Sequence, residues 1–181
     1  TFLQHQIFSN PALGLALGGG NLSRAHLFDK LVLDDGYQFD AAATAQILRD
    51  LEAPQRAAGL TPIWSDETLT GDCIRQVYNG HAIAQRITGM GVPVKIIITV
   101  REQQSLCMAS WREYVKGGGA QPFERFIGTG HEPMSFTPLL QPEHLMYHRA
   151  VDFYADQIGA ENVLVLPQEL MKSDPAMFFA R

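Results

Sequence analysis

The chain has 181 residues, of which 46% are hydrophobic and 18% are charged, and its formal net charge is −5. These proportions suit one globular domain with a substantial core, and the negative balance argues against non-specific nucleic-acid binding, which requires a basic surface. No apolar run is long enough to predict a membrane span. The two cysteines, Cys73 and Cys107, lack metal-ligand spacing, which predicts buried reduced thiols and a cytoplasmic location.

Helical and strand patterns alternate along the chain. Helical spacing of apolar residues is found at residues 1–8, 38–58, 72–90, 102–116 and 142–158. Strand patterns are found at residues 60–69, 94–100 and 162–167, and residues 13–20 form a glycine-rich connector. The order predicts an α/β three-layer sandwich, with a mostly parallel central sheet flanked by helices, as one domain over residues 1–181. Because the chain opens within a helical pattern, we expect an N-terminal strand and a C-terminal part to be missing.

The most informative stretch is residues 94–116, where a β-branched apolar run ends at Arg101 and helical spacing begins. Such a run is typical of a strand buried on both faces of a parallel sheet. Ligands of open α/β sheets bind at the carboxyl ends of strands, and the free N–H groups of a helix's first turn favour an anion. The pattern predicts a phosphate site at Arg101. The alternative is that Arg101 is an ordinary solvated or salt-bridged surface residue.

A second predicted strand end carries two carboxylates. Asp66 and Glu67 close the strand pattern of residues 60–69, so we expect them on the same rim of the sheet as Arg101. The alternative for Glu67 is a structural carboxylate that caps the helix beginning near Gly71. No spacing of histidine, cysteine or carboxylate residues suggests a metal site.

Four stretches, in order along the chain, resemble the sulfotransferases that use 3′-phosphoadenosine 5′-phosphosulfate, in their bacterial or carbohydrate-type branch. The matching residues are 1–4, 64–71, 95–115 and 162–175. The resemblance covers nearly the whole chain and implies a P-loop NTPase-like fold. It also implies that the strand and the loop for the 5′-phosphosulfate, with its lysine, precede Thr1.

The resemblance implies donor-binding roles for individual residues. Thr1 matches the last threonine of the 5′-phosphosulfate loop, and Arg101 matches the arginine that holds the 3′-phosphate. The family places a second 3′-phosphate ligand, a serine, eight residues after this arginine, where this chain has Ala109. Ser105 and Ser110 are therefore both candidates for that role.

Sulfuryl transfer resembles phosphoryl transfer, so catalysis depends mainly on positioning and on charge stabilisation. The family's base for the acceptor is a histidine or glutamate, and by position Glu67 is the first candidate and Asp66 the second. The resemblance implies the 3′-phosphoadenosine 5′-phosphosulfate donor and no metal.

The implied acceptor is a hydroxyl or amine of a saccharide, lipid or small metabolite, and its recognition is expected in residues 13–40 and 117–141. Two alternatives stay open. One is a P-loop small-molecule kinase that uses ATP. The other is a non-catalytic binding module of the same fold, which the substitution at Ala109 favours.

Overall fold

A computed structural model describes residues 3–18, 27–71, 78–129 and 131–179 of the chain. The described chain is mixed α/β, and it divides into two compact units. The first unit comprises Thr1–Gly71 and Asn79–Val92, and the second comprises Asp72–Tyr78 and Pro93–Arg181. Each unit contains one parallel pair of strands. The α/β class expected from the alternating pattern is thus confirmed.

The first unit is built around strands β1 and β2 and helices α1 and α2. Its elements in chain order are a π-helical segment Leu3–Phe8, a 3-10 turn Pro11–Leu13, β1 (Leu15–Leu17), a π-helical segment Asp29–Leu33, α1 (Ala41–Ala57), β2 (Thr61–Ile63), a 3-10 turn Glu67–Thr70 and α2 (Gly80–Gly89). Strand β1 pairs in parallel with β2, with Leu15 opposite Thr61. Residues 13–20 are therefore not only a connector, because their Leu-Ala-Leu segment finds a backbone partner in β2.

Helix α1 forms where the sequence predicts it, for local reasons. The carboxylate of Asp40 accepts a hydrogen bond from the backbone N–H of Ala43 at 2.9 Å, which caps the first turn. Ala45 and Leu48 lie on one face and are buried. They pack with Leu27, Leu31 and Met90 in the apolar core of the first unit.

The second unit is built around strands β3 and β4. Its elements in chain order are β3 (Ile96–Val100), α3 (Gln103–Lys116), α4 (Phe123–Phe126), a 3-10 turn Pro142–Leu145, α5 (Tyr147–Ile158), a 3-10 turn Ala160–Asn162, β4 (Val163–Pro167), α6 (Leu170–Ser173) and α7 (Pro175–Phe179). Strand β3 pairs in parallel with β4 from Ile96 opposite Val163 to Val100 opposite Pro167. The core contains Cys107, Phe126, Leu140 and Leu145.

The sheet agrees only in part with the expectation. The described strands form two two-stranded sheets, and a single central sheet is not seen among them. Strand β3 is also not buried on both faces, since the side chain of Ile97 is 43% exposed. A β-branched apolar run favours extended backbone, but its burial depends on the layers that pack against it, which the run itself does not specify.

The predicted strand at residues 60–69 is shorter than expected, because the chain leaves β2 after Ile63 and turns into the 3-10 segment Glu67–Thr70. The helix predicted over residues 72–90 is seen as Gly80–Gly89, and residues 72–77, including Cys73, lie outside the described residues, as does Thr1. Cys107 is a buried free thiol, as predicted. None of the described helices has the length and apolar character needed to cross a bilayer.

Candidate functional site

Arg101 directly follows β3, and the peptide groups on both of its sides are hydrogen-bonded to the segment after β4. The carbonyl oxygen of Val100 accepts a bond from the N–H of Gln168 at 2.7 Å. The N–H of Glu102 donates to the Oε1 atom of Glu169 at 2.8 Å. The segment after β4 therefore holds the backbone on both sides of Arg101.

The first turn of α3 is capped by a carboxylate. Oε1 of Glu102 accepts a bond from the N–H of Gln104 at 2.8 Å, and Oε2 accepts from the N–H of Ser105 at 2.6 Å. The hydroxyl of Ser105 donates to the carbonyl oxygen of Glu102 at 3.0 Å. These two N–H groups are thus not free for a ligand, which corrects the expectation that they form the anion site. The reason is local, since a glutamate at the N-cap reaches the same donors that a phosphate would use.

The pKa values of two carboxylates near Arg101, those of Glu102 and Glu169, are both lowered. The backbone N–H groups of Ser105 and Gln104 are the main cause that lowers the pKa of Glu102, and nearby Arg101 adds to it. The N–H of Glu102 is the main cause that lowers the pKa of Glu169, again with a contribution from Arg101. Both carboxylates are therefore more readily ionised than usual.

Arg101 is partly buried, and its guanidinium makes no hydrogen bond or ion pair with the residues that the structure describes. Its donors are thus available to a ligand. A forked set of N–H donors on a fixed backbone suits a phosphate or a carboxylate, which it can bind through two parallel hydrogen bonds.

The two candidate serines lie on different faces of α3. Ser110 is buried, with 7% of its surface exposed, and it lies three residues from buried Cys107 on the core side of the helix. Ser105 lies in the first turn and is partly exposed. It is four residues before Ala109, so these two positions share a face, whereas Ser110 is rotated from Ala109 by about 100°.

Asp66 and Glu67 have different environments after β2. Oδ1 of Asp66 accepts bonds from the N–H of Thr68 at 3.0 Å and from its hydroxyl at 2.7 Å, so Asp66 caps the 3-10 turn. Glu67 is exposed in the first position of that turn. Asp66 is thus the cap of this turn, whereas the start of the helix that Glu67 could cap, near Gly71, lies outside the described residues. Both follow β2 in the first unit, whereas Arg101 follows β3 in the second, so the common sheet rim is not seen.

A cavity of about 290 Å³ lies within the second unit, in the region where acceptor recognition is expected. Its walls are formed by Gly128 and by residues of the segments 132–138 and 141–143, among them Glu132, Phe136 and Glu143. Its lining overlaps the end of the predicted region 117–141. The guanidinium of Arg125 lies over the Phe136 ring at 5.2 Å from the centroid.

Sequence reasoning missed Glu102 and Glu169. The signal for Glu102 was weak, because an acidic side chain is favoured in the first turn of a helix but glutamate is not among the usual N-cap residues. Glu169 had no such signal, since its side-chain partner lies 67 residues away along the chain. The described residues contain no cluster of three or more histidine, cysteine or carboxylate side chains that could hold a metal ion.

No protein-family model, curated protein or solved structure matches the chain. What can be said about function therefore rests on the residues themselves. At the end of β3 they offer a guanidinium without a partner in the described part of the chain, and at the end of β2 they offer an exposed carboxylate.

Proposed function

We propose that this protein is a sulfotransferase that moves a sulfuryl group from 3′-phosphoadenosine 5′-phosphosulfate to a hydroxyl or amine of a saccharide, lipid or small metabolite. The observation that carries the proposal is Arg101, whose backbone is held on both sides by the segment after β4 while its guanidinium stays unpaired among the described residues. A terminal phosphate monoester, such as the donor's 3′-phosphate, is the ligand that a forked guanidinium binds well.

The fold that goes with this function is a three-layer α/β sandwich with a mostly parallel central sheet. Both observed strand pairs are parallel, and helices lie between the paired strands in the sequence. Parallel pairs need crossover connections of this kind and are usually covered by helices on both faces. In this proposal Thr1 belongs to the loop that holds the 5′-phosphosulfate.

Ser105 is the better candidate for the second 3′-phosphate ligand. It shares the helix face of Ala109, the position at which the resembled family has its serine, and it lies in the same turn as the N-cap that follows Arg101. Ser110 is buried on the core side of α3 and would have to leave that core to reach a ligand.

Glu67 is proposed as the base that accepts the proton of the acceptor hydroxyl or amine while the sulfuryl group is transferred in line. It is exposed, so an acceptor can reach its carboxylate. Asp66 is the second candidate, but its Oδ1 atom already accepts two bonds from Thr68. Its role is better described as holding the turn that presents Glu67.

The test is calorimetric binding of 3′-phosphoadenosine 5′-phosphate and of ADP to the full-length protein. We expect preference for the first nucleotide, because only it carries the 3′-phosphate, followed by transfer of labelled sulfate to an acceptor mixture. Preference for ADP would contradict the proposal and favour a P-loop small-molecule kinase instead. Tight binding of the first nucleotide without any transfer would favour a non-catalytic module.

A further inference from the structure

We propose that Glu169 is a positioning residue for Arg101, acting through the backbone of Glu102, so that the donor's 3′-phosphate meets an arginine whose backbone is already fixed. This inference rests on the proposed function, because the ligand that Glu169 would prepare for is that phosphate. It adds a role for the segment after β4 that no local pattern of the sequence indicates.

The geometry concerns the two peptide bonds that flank Arg101. Pairing of β3 with β4 ends at Val100, whose carbonyl oxygen receives the N–H of Gln168 at 2.7 Å. One residue beyond Arg101 the ladder is extended by a side chain, since Oε1 of Glu169 takes the place of a backbone acceptor for the N–H of Glu102 at 2.8 Å. Without this bond, only the Val100 side of the arginine would be tied to β4.

The bond also fixes where α3 begins. Glu102 is the N-cap of α3. Its N–H donates to Glu169, and its carboxylate accepts from the N–H groups of Gln104 and Ser105, so this one residue links α3 to the segment after β4. A shift of Glu102 would therefore move both the arginine before it and the serine in the turn after it. Small displacements of a binding group weaken phosphate recognition, because its hydrogen bonds are directional.

The hydrogen-bond acceptor of Glu169, not its charge, is the part that serves the phosphate. A negative charge next to Arg101 repels an incoming anion, so the carboxylate charge by itself cannot favour binding. The backbone of Glu169 has a separate role, because its carbonyl oxygen accepts the N–H and the hydroxyl of Ser173 at 3.1 Å each. Substitution of the side chain leaves that backbone role in place.

The test compares Glu169→Ala with Glu169→Gln in the full-length protein, with Glu124→Ala as a control at an exposed glutamate of the same unit. Glutamine keeps the acceptor oxygen and removes the charge, whereas alanine removes both. We measure the dissociation constant of 3′-phosphoadenosine 5′-phosphate by calorimetry, and the urea denaturation of each variant.

We expect Glu169→Ala to weaken binding about fivefold, the typical effect of one lost hydrogen bond. Glu124→Ala should bind as tightly as the wild type, and Glu169→Gln should bind as tightly or more tightly. Equal binding by Glu169→Ala and the wild type would overturn the inference. So would Glu169→Gln binding as weakly as Glu169→Ala, because the charge would then be what matters. A wild-type protein that does not bind the nucleotide would overturn the proposed function together with this inference, whereas the first two results leave the function standing.

A purely structural role for Glu169 predicts a different result. It would lower the stability of Glu169→Ala and leave the affinity of the folded protein unchanged. Amide hydrogen exchange at Glu102 gives a readout in the absence of ligand, and we expect faster exchange in Glu169→Ala than in Glu169→Gln. Similar exchange in the two variants would contradict the proposed hydrogen-bonding role.

Discussion

The chain leaves β2 and β3 in the same way, through an acidic side chain that accepts hydrogen bonds from the turn that follows. Asp66 accepts from the N–H of Thr68 after β2, and Glu102 accepts from the N–H groups of Gln104 and Ser105 after β3. The turn after β2 is one 3-10 turn of four residues, whereas the turn after β3 opens the 14-residue α3. The end of β3 is additionally tied to the segment after β4.

The comparison separates what a cap does from what a long-range bond does. A cap satisfies N–H groups within three residues, so it forms at both strand ends whatever the surroundings. The bond from Glu102 to Glu169 exists only because β4 lies beside β3, and it makes the end of β3 the better-defined place for a ligand-binding side chain. Glu67, by contrast, is exposed on a single turn.

The largest expected effect is at the end of β2. Replacing Glu67 by glutamine removes the proposed base, and we expect the rate of sulfate transfer at saturating donor to fall by about 100-fold or more. The transfer rate is measured as an initial rate with the donor and an acceptor that the wild-type protein sulfates. Glu161→Gln is the matched control, because Glu161 is also exposed in a one-turn 3-10 segment. If both variants keep the wild-type rate, the base lies elsewhere.

At the end of β3 the expected effect is on binding. Arg101→Ala removes the proposed 3′-phosphate ligand, and we expect the affinity for 3′-phosphoadenosine 5′-phosphate to fall at least about tenfold, or about 1.4 kcal/mol. Calorimetry measures it, with Arg112→Ala as the control because Arg112 is an exposed arginine of α3, the helix that follows Arg101. Equal losses of affinity in the two variants would mean that Arg101 contributes only its positive charge and does not contact the phosphate.

The two serines of α3 provide a sharper test of the same strand end. We expect Ser105→Ala to weaken nucleotide binding by about 1 kcal/mol, the typical net value of one hydrogen bond. Ser110→Ala should leave the affinity unchanged, since Ser110 is buried on the core side. The reverse order of affinities would assign the phosphate to the face of Ser110 instead.

At the end of β2, substitutions of Asp66 and Glu67 should differ in their effect on the free energy of unfolding. Asp66→Ala removes two bonds to Thr68, and we expect the free energy of unfolding to fall by about 1 kcal/mol. Glu67→Ala should change it by less than about 0.5 kcal/mol, as is usual for an exposed side chain. Urea denaturation of both variants checks this, and a larger loss for Glu67→Ala would mean that Glu67 is the structural carboxylate.

The smallest effect is the pH dependence of the β3 end. The pKa values of Glu102 and Glu169 are lowered in the folded protein, so below their ordinary pKa of 4.5 the unfolded chain binds more protons than the folded one. Their stabilising contribution is therefore present above that pH and is lost as the pH falls through the lowered values. We expect a Glu102→Gln variant to lose less stability than the wild type on acidification in this range, measured by urea denaturation at several pH values. An equal loss of stability in the two proteins would show that the Glu102 carboxylate does not cause the pH dependence.

Several elements were predictable because their causes are local. The amphipathic run of residues 38–58 predicts α1, and the change from a β-branched run to helical spacing at Arg101 predicts β3 followed by α3. The structure confirms these elements, to within a few residues at their ends. The strand near residue 15 was missed because three residues among glycines carry too short a pattern to be read as a strand.

The sequence by itself determined where the longer helices and the strands β3 and β4 form, and that an arginine stands where a strand gives way to a helix. These features depend on periodicity and on side chains within a few residues of their partners. Only the tertiary structure decided that Ile97 is exposed, that Ser110 is buried, and that Glu169 bonds to the N–H beside Arg101. Each of these depends on which distant segment packs or pairs alongside, and no local pattern specifies that partner.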